Sequence, residues 1–260
     1  MEIIQSRTAP TSPAPLAERA FEFKSRVLVA TCAVLILVSY LVVYLPPSSA
    51  RELLREDGPV EQATASLFLL ASFTFFLTWR LRSHQPTRPT DRPIYILVLA
   101  ALMFICMGEE ISWGQRIFGW ETPQKWIEQN AQAETNLHNL SLIEGGVRDP
   151  RTQKFLRSLT NANRLFALFW LTFFVAFPLL DRVSAHARDA FRTLGLPVPS
   201  PWFGALFLLN QAAFSLGTWQ LIAFDIYTTD IFPLDELKEQ NYAITYAIAG
   251  IVAWRHARLR

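Results

Sequence analysis

Charged residues, cysteines and histidines are all scarce in this 260-residue chain, and each shortage excludes a class of protein. Only 18% of the residues are charged, against about 25% in soluble domains, whereas 51% are hydrophobic and 13% aromatic. This balance excludes a disordered chain and a coiled coil. The two cysteines, Cys32 and Cys106, both lie in apolar segments, so a disulfide scaffold is excluded as well. The sequence also has no HExxH motif, P-loop, GxSxG elbow or glycine-rich dinucleotide turn, and it names no cofactor.

The apolar residues are concentrated in six blocks, which predicts an all-α integral membrane bundle with six transmembrane helices. The first and fifth blocks are long enough to span a bilayer by themselves. The shorter blocks are expected to belong to longer helices that extend into water or into a protein cavity, and the last helix is expected to begin near Leu234. The predicted spans lie near residues 27–45, 63–79, 94–108, 165–180, 202–224 and 242–254.

The basic residues predict which ends of these helices face the cytoplasm. The N-terminal segment, residues 80–93, residues 181–201 and the C-terminus together hold 14 of the 24 Lys and Arg residues, but only 6 of the 22 acids. By the positive-inside rule both termini are cytoplasmic, and the outer loop 109–164 faces outward. The net charge of +2 follows this membrane pattern, so we expect the lipid bilayer as a partner and no nucleic acid.

The N-terminal region is rich in Pro, Ser and Thr, which predicts a disordered cytoplasmic tail over residues 1–24. Residues 25–260 then form the six-span membrane domain, with a partly structured outer loop. A cleaved signal peptide is the alternative, because Ser48, Ser49 and Ala50 follow the first block. We expect the first span to be retained, since a 19-residue block exceeds the usual apolar region of a signal peptide.

The most informative stretch begins where the third span leaves the apolar core. If the helix continues there, an acid, a hydroxyl, a guanidinium and two indoles share one face. The acids could serve as general bases or metal ligands, the arginine as an anion clamp, the histidine as an acid–base group and the serine as a weak nucleophile. The alternative is a helix-end ion pair with the tryptophans as interface anchors. The face comprises Glu109, Ser112, Trp113, Arg116 and Trp120, and the candidate catalytic residues are Glu109, Glu110, Ser112, Arg116 and His138.

A regular alternation of polar and smaller or apolar residues follows over positions 130–138. If this segment is extended, its polar side chains all point one way and form a wall of an outward-facing cavity. The alternative is that they cap loops. A turn at Gly119 and a short helix starting at Thr122 and Pro123 would bring the row back to the membrane surface. The candidate substrate-binding residues are Asn130, Gln132, Glu134, Asn136 and Asn139.

The four histidines limit the metal chemistry of such a site. His84, His186 and His256 stand among arginines on the predicted cytoplasmic side, and only His138 falls in the outer loop. A three-histidine zinc centre is therefore excluded there. A carboxylate-rich site with one histidine remains open and would suit Mg, Mn or Ca better than Zn.

Two polar or small faces lie inside the predicted spans. Asn210 and Gln211 stand in the middle of the fifth block, where such amides usually bind neighbouring helices and less often line a substrate path. In the last block Ala243, Ala247 and Gly250 share one face, which predicts close packing against another helix.

The block GEEISWGQRIFGWETP followed by NAQAETNLHN resembles a block of bacterial polytopic membrane proteins. The resemblance covers residues 108–140; it implies a bacterial inner-membrane location but no established activity or catalytic residue. Alkaline-ceramidase-type membrane hydrolases also place an acid and a serine near a helix end, as Glu109 and Ser112 stand here. The histidines that would hold their zinc are missing from the outer side, so that assignment is not carried over.

Three classes of function fit this sequence. The first is a membrane-embedded enzyme that acts on a lipid or lipid-linked head group at the outer leaflet, as the cluster of ionisable residues at interfacial depth indicates. The second is a small-solute transporter, for which the mid-span amides are the strong polar candidates. The third is a non-catalytic assembly subunit that presents the outer loop to a partner.

Overall fold

The computed structural model describes residues 16–55, 58–84, 93–127, 162–194, 196, 198–223 and 234–259. Within these ranges every regular element is a helix and no strand is present, so the predicted all-helical fold is confirmed.

The chain contains both long and short helices, and the last helix begins at Leu234 as expected. Two 3-10 segments, Tyr40–Tyr44 and Ser112–Gly114, and a π-helical segment, Leu171–Ala176, connect some of them. In chain order the α-helices are α1 (Leu16–Ser39), α2 (Pro47–Leu54), α3 (Pro59–Ser83), α4 (Ile94–Glu110), α5 (Gln115–Phe118), α6 (Gln124–Ile127), α7 (Ala162–Trp170), α8 (Phe177–Val183), α9 (Ala185–Leu194), α10 (Pro201–Ala223) and α11 (Leu234–Arg258).

The first helix starts earlier than the sequence analysis expects. It begins at Leu16, inside the segment predicted as a disordered tail, so residues 16–24 are helical. The physical reason is local, because LAERAFEFK consists mostly of good helix formers and contains no proline. Residues 1–15 lie outside the described part of the chain.

Among the residues that the structure describes, three helical stretches are long and apolar enough to cross a membrane: Phe23–Tyr44, Pro47–Ser83 and Leu165–Val183. They contain or overlap the first, second and fourth predicted spans. Large apolar side chains on α1 stay exposed in the isolated chain, among them Leu37 at 51% and Val38 at 53%. Such a contiguous apolar surface indicates contact with lipid or another apolar partner.

The other predicted spans also lie in helices, but these do not meet the same standard of length and composition. Helix α4 has 17 residues, α10 carries two amides in mid-helix, and α11 begins with the polar sequence LDELKEQN. The six-span arrangement therefore stays a prediction.

Helix α3 lies between α4 and α11 and packs closely against both. The predicted small-residue face of α11 makes this contact, since Ala243, Ala247 and Gly250 are all buried. A Cβ atom at position 250 would collide with the Thr74 hydroxyl and approach the Ala71 carbonyl oxygen at 3.3 Å. Glycine at this position thus lets the two helix backbones approach, as small residues do in membrane bundles.

An aromatic core joins the π-helical segment to α10 and α11. Phe174 packs against Phe207 and Tyr246 at ring-centroid distances of 4.8 and 5.4 Å, and all three are almost fully buried. Gly204 allows α10 to approach the backbone of this segment, because a Cβ there would collide with the Phe174 carbonyl oxygen. The core fixes the π-helical segment against α10 and α11.

Candidate functional site

Helix α4 stops at Glu110, and the predicted continuation of this helix to Gly119 is wrong. The chain turns through three successive residues with left-handed backbones: Ser112 at φ 44°, Trp113 at φ 54° and Gly114 at φ 78°. Only the last is a glycine, and the left-handed region costs other residues roughly 1–2 kcal/mol each. Such local strain persists where the surrounding contacts stabilise it, and it is enriched at functional sites.

The Trp113 side chain supplies those contacts. Its indole lies over Gly108, where a Cβ atom would come within 2.9 Å of the ring, and it packs edge-on against Phe104. Its Nε1 donates a 2.7 Å hydrogen bond to Oε1 of Glu109. The indole therefore covers the end of α4 and orients one carboxylate, a role different from the predicted interface anchor.

The predicted shared face survives in part, through this turn in place of a helix. Glu109 and Trp113 bond directly, and Ser112 is buried beside them at 5% exposure. Arg116 falls in α5, but its side chain lies outside the described part, so its predicted pairing with Glu109 stays a prediction. Trp120 is 44% exposed and stacks on Phe118.

The segment after the turn follows the predicted order of elements. Gly119 ends α5 with φ 71°, and the short helix α6 begins at Gln124, directly after Thr122 and Pro123. Thr122 is buried. His138 and the alternating row lie outside the described residues, so whether they return to Glu109 is untested; the row's members are Asn130, Gln132, Glu134, Asn136 and Asn139.

Other helices add carboxylates that the sequence analysis did not single out. The charges of Glu61 at the start of α3, and of Glu236 and Glu239 at the start of α11, act on Glu110. Three helices thus bring acids to one end of the bundle. We call this set the carboxylate cluster: Glu61, Glu109, Glu110, Glu236 and Glu239. The available signal was topological, because the predicted orientation puts all these helix ends on the acidic side of the chain.

Glu110 has a strongly perturbed acidity. It lies just beyond the predicted span 94–108, and burial raises its pKa to about 9, with the like charges of the other four carboxylates adding to the effect. The carboxyl group is therefore protonated at neutral pH. Within the described residues no three His, Cys, Asp or Glu side chains are placed to hold a metal ion.

The mid-span amides form a separate, structural network. Asn210 is fully buried; its amide nitrogen donates to the Lys238 carbonyl at 2.9 Å, and its oxygen accepts from the Tyr40 hydroxyl at 2.9 Å. Asn241, also fully buried, donates to the Ser39 hydroxyl at 2.9 Å. These bonds connect α10, α11 and the end of α1, which supports the predicted role of Asn210 in joining helices.

No protein-family model matches this chain, and no curated protein or solved structure matches it either.

Proposed function

We propose that this protein is a multi-pass membrane enzyme that performs acid–base chemistry on a lipid or lipid-linked head group at the outer membrane surface. The observation that carries the proposal is the convergence of acids from three helix ends at the point where α4 leaves its apolar segment. Ionisable groups at the edge of the hydrocarbon are costly, and they usually mark a functional site.

The two adjacent carboxyls of α4 have different surroundings, which suits them to different roles. Glu109 accepts a hydrogen bond from the Trp113 indole, whereas Glu110 is half-buried among other carboxylates and holds its proton at neutral pH. A pair of carboxyls in unlike environments is a common arrangement for an acid and a base. In this proposal Glu110 donates a proton to a leaving group, and Glu109 accepts a proton. Ser112 is a weak nucleophile and His138 a further acid–base group, while Arg116 binds an anionic head group.

The surface next to the carboxylate cluster supports a lipid substrate. Ile117 and Phe118 of α5 are 70% and 73% exposed, and Trp120 stacks on Phe118. Exposed aromatic and aliphatic side chains beside a polar site are typical of the interface between hydrocarbon and water. A lipid could lie with its chain against these side chains and its head group at the carboxylates.

The proposal includes the topology predicted from the basic residues. Six spans with cytoplasmic termini, in a bacterial inner membrane, would put the carboxylate cluster and loop 109–164 outside. The three apolar helices and the grouping of acids at one end support this orientation. Reporter fusions at residues 85 and 145 test it; an outside signal at residue 85 with an inside signal at residue 145 would contradict it.

The enzymatic proposal is tested by untargeted lipid analysis of a deletion strain complemented with variants. Glu109→Gln, Glu110→Gln and His138→Ala should each leave the lipid change of the deletion strain uncorrected, at normal protein levels in the membrane. The matched control is Glu52→Gln, because Glu52 is 70% exposed and pairs with Arg55 at the surface, where an ion pair contributes little.

Normal complementation by all three variants would overturn the enzymatic proposal. Loop 109–164 would then act as a structural cap or as a surface for a protein partner, the third class of function. A transporter would instead require a polar route through the bundle centre, where the described amides are engaged with neighbouring helices.

A further inference from the structure

A cavity of about 850 Å³ opens at the end of the bundle opposite the carboxylate cluster. It is bounded by the last turns of α3 and α11, the first turns of α4 and α10, and the segment from α8 to α10. Its volume falls within the range of about 300–1,000 Å³ that is usual for small-molecule sites.

The cavity has an apolar interior and a basic mouth. Its inner wall includes Phe75, Leu99, Phe174 and Phe203, all buried members of the core. The mouth carries three arginines and one histidine against a single acid. We call this cavity the basic pocket, and its ionisable residues are Arg82, Asp181, Arg182, Arg188 and His256.

Arg188 is held in place at the mouth by Asp181. Its Nε and Nη2 donate to the Asp181 backbone carbonyl at 2.9 and 2.6 Å. The Asp181 carboxylate lies 3.9 Å from Nε and forms a long ion pair with the guanidinium. Because three arginines stand against this one acid in the cavity lining, positive charge remains in excess at the mouth.

From this arrangement we infer that the basic pocket binds an anionic amphiphile, with a phosphate head group at the arginines and a single hydrocarbon chain against the aromatic wall. Guanidinium groups bind phosphate through paired hydrogen bonds. Basic pockets between membrane helices on the cytoplasmic side are known places for anionic lipid head groups. This site is separate from the carboxylate cluster, so it does not depend on the proposed enzymatic function.

The test uses the full-length protein in a non-ionic detergent and native mass spectrometry with three probes. Oleoyl lysophosphatidic acid has a phosphate monoester and one hydrocarbon chain. Oleoyl lysophosphatidylcholine has the same hydrocarbon chain, but its phosphate is esterified with choline. Inorganic phosphate represents the head group without a hydrocarbon chain. We expect one tightly bound lysophosphatidic acid, with at least about tenfold weaker binding of the other two probes. Equal binding of both lipids, or equal binding of inorganic phosphate, would overturn the inference.

Variants locate the binding in the pocket. Arg188→Gln should weaken lysophosphatidic acid binding at least about tenfold. Arg182→Gln, at an exposed side chain, keeps the test valid if the first variant folds poorly. Ala253→Phe should prevent the lipid's hydrocarbon chain from entering the cavity, because Ala253 lines it. The control is Arg192→Gln, on the same helix as Arg188 but outside the cavity lining.

Two results would show that the site is elsewhere or has another occupant. Unchanged lysophosphatidic acid binding in both arginine variants and in Ala253→Phe would overturn the inference. So would binding that appears only after residues 2–15 are removed, because the chain's own N-terminal segment would then be the natural occupant.

Discussion

The two ends of the same three helices, α3, α4 and α11, differ in charge and in shape. At one end the carboxylate cluster collects acids, and the chain folds back over α4 through the Trp113 turn. At the other end arginines surround a cavity with an aromatic wall. The middle is apolar and closely packed between them.

The helix dipole explains most of this contrast, and the exception is informative. Helices α3 and α11 begin with acids such as Glu61 and Glu236, and end with Arg82 and His256; both placements are favourable for the dipole. Helix α4 runs the other way, and it carries Glu109 and Glu110 at its C-terminus, where the dipole disfavours the charged form of a carboxyl group. These two acids lack the structural reason that the other cluster members have, which favours a functional role for them.

The largest expected effect comes from separating α3 and α11, on which both ends depend. Gly250→Leu should prevent correct folding, because the new side chain meets the Ala71 backbone and the Thr74 side chain; we expect a loss of about 3 kcal/mol or more. Monodispersity and thermal stability in detergent measure it. Gly217→Ala is the control, since its Cβ would meet Leu234 at an ordinary 3.4 Å. Equal stability of the two variants would contradict this account of the packing.

The pH dependence of stability should distinguish the acidic end. Folding raises the pKa of Glu110 from 4.5 to about 9. The contribution of this group to the stability of the folded protein is therefore fully present below pH 4.5 and is lost as the pH rises toward 9. Between pH 5 and pH 9 we expect the Tm of the wild type to fall by about 5 °C or more from this group. Glu110→Gln should flatten this part of the profile. An unchanged slope in the variant would mean that Glu110 is not the responsible group.

The network around Asn210 should respond to the loss of its hydrogen bonds. Asn210→Ala removes the hydrogen bonds to the Tyr40 hydroxyl and the Lys238 carbonyl, and we expect a destabilisation of about 1–2 kcal/mol. Gln211→Ala is the control, because Gln211 is exposed and accepts one 3.3 Å bond from Tyr242. Chemical denaturation compares them. A larger loss of unfolding free energy for Gln211→Ala would contradict the role of Asn210 in joining the helices.

The smallest loss of stability is expected where an acid interacts favourably with the dipole at a helix N-terminus. Glu236→Gln, at the start of α11, should lower stability by about 0.3–1 kcal/mol at neutral pH. Glu110→Gln should not lower it there, because the native carboxyl is already protonated. Parallel melting curves at pH 7 test the contrast, which disappears if both variants lose the same stability.

Periodicity and composition were sufficient for the large elements of the fold. The apolar blocks predict helices at every described span, the small-residue face of α11 packs as expected, and Gly119 ends a helix where a glycine stop was expected. Periodicity alone could not predict the turn after Glu110. Nothing local forbids a helix at Ser112 and Trp113, and the break depends on the indole finding Gly108 and Phe104.

The carboxylate cluster shows the same division. Its two α4 members are visible in the sequence because they interrupt an apolar run, whereas Glu61, Glu236 and Glu239 look like ordinary helix-start acids. The basic pocket has no sequence signature at all, since its lining comes from five separate parts of the chain.

The helical class, the apolar segments and the separation of acidic from basic helix ends can be read from the sequence, because they depend on residue type and on spacing along one helix. Which acids meet, where Trp113 folds back and where a cavity remains depend on tertiary packing. Those features arise from contacts between residues far apart in the chain, and such contacts depend on how the helices pack together.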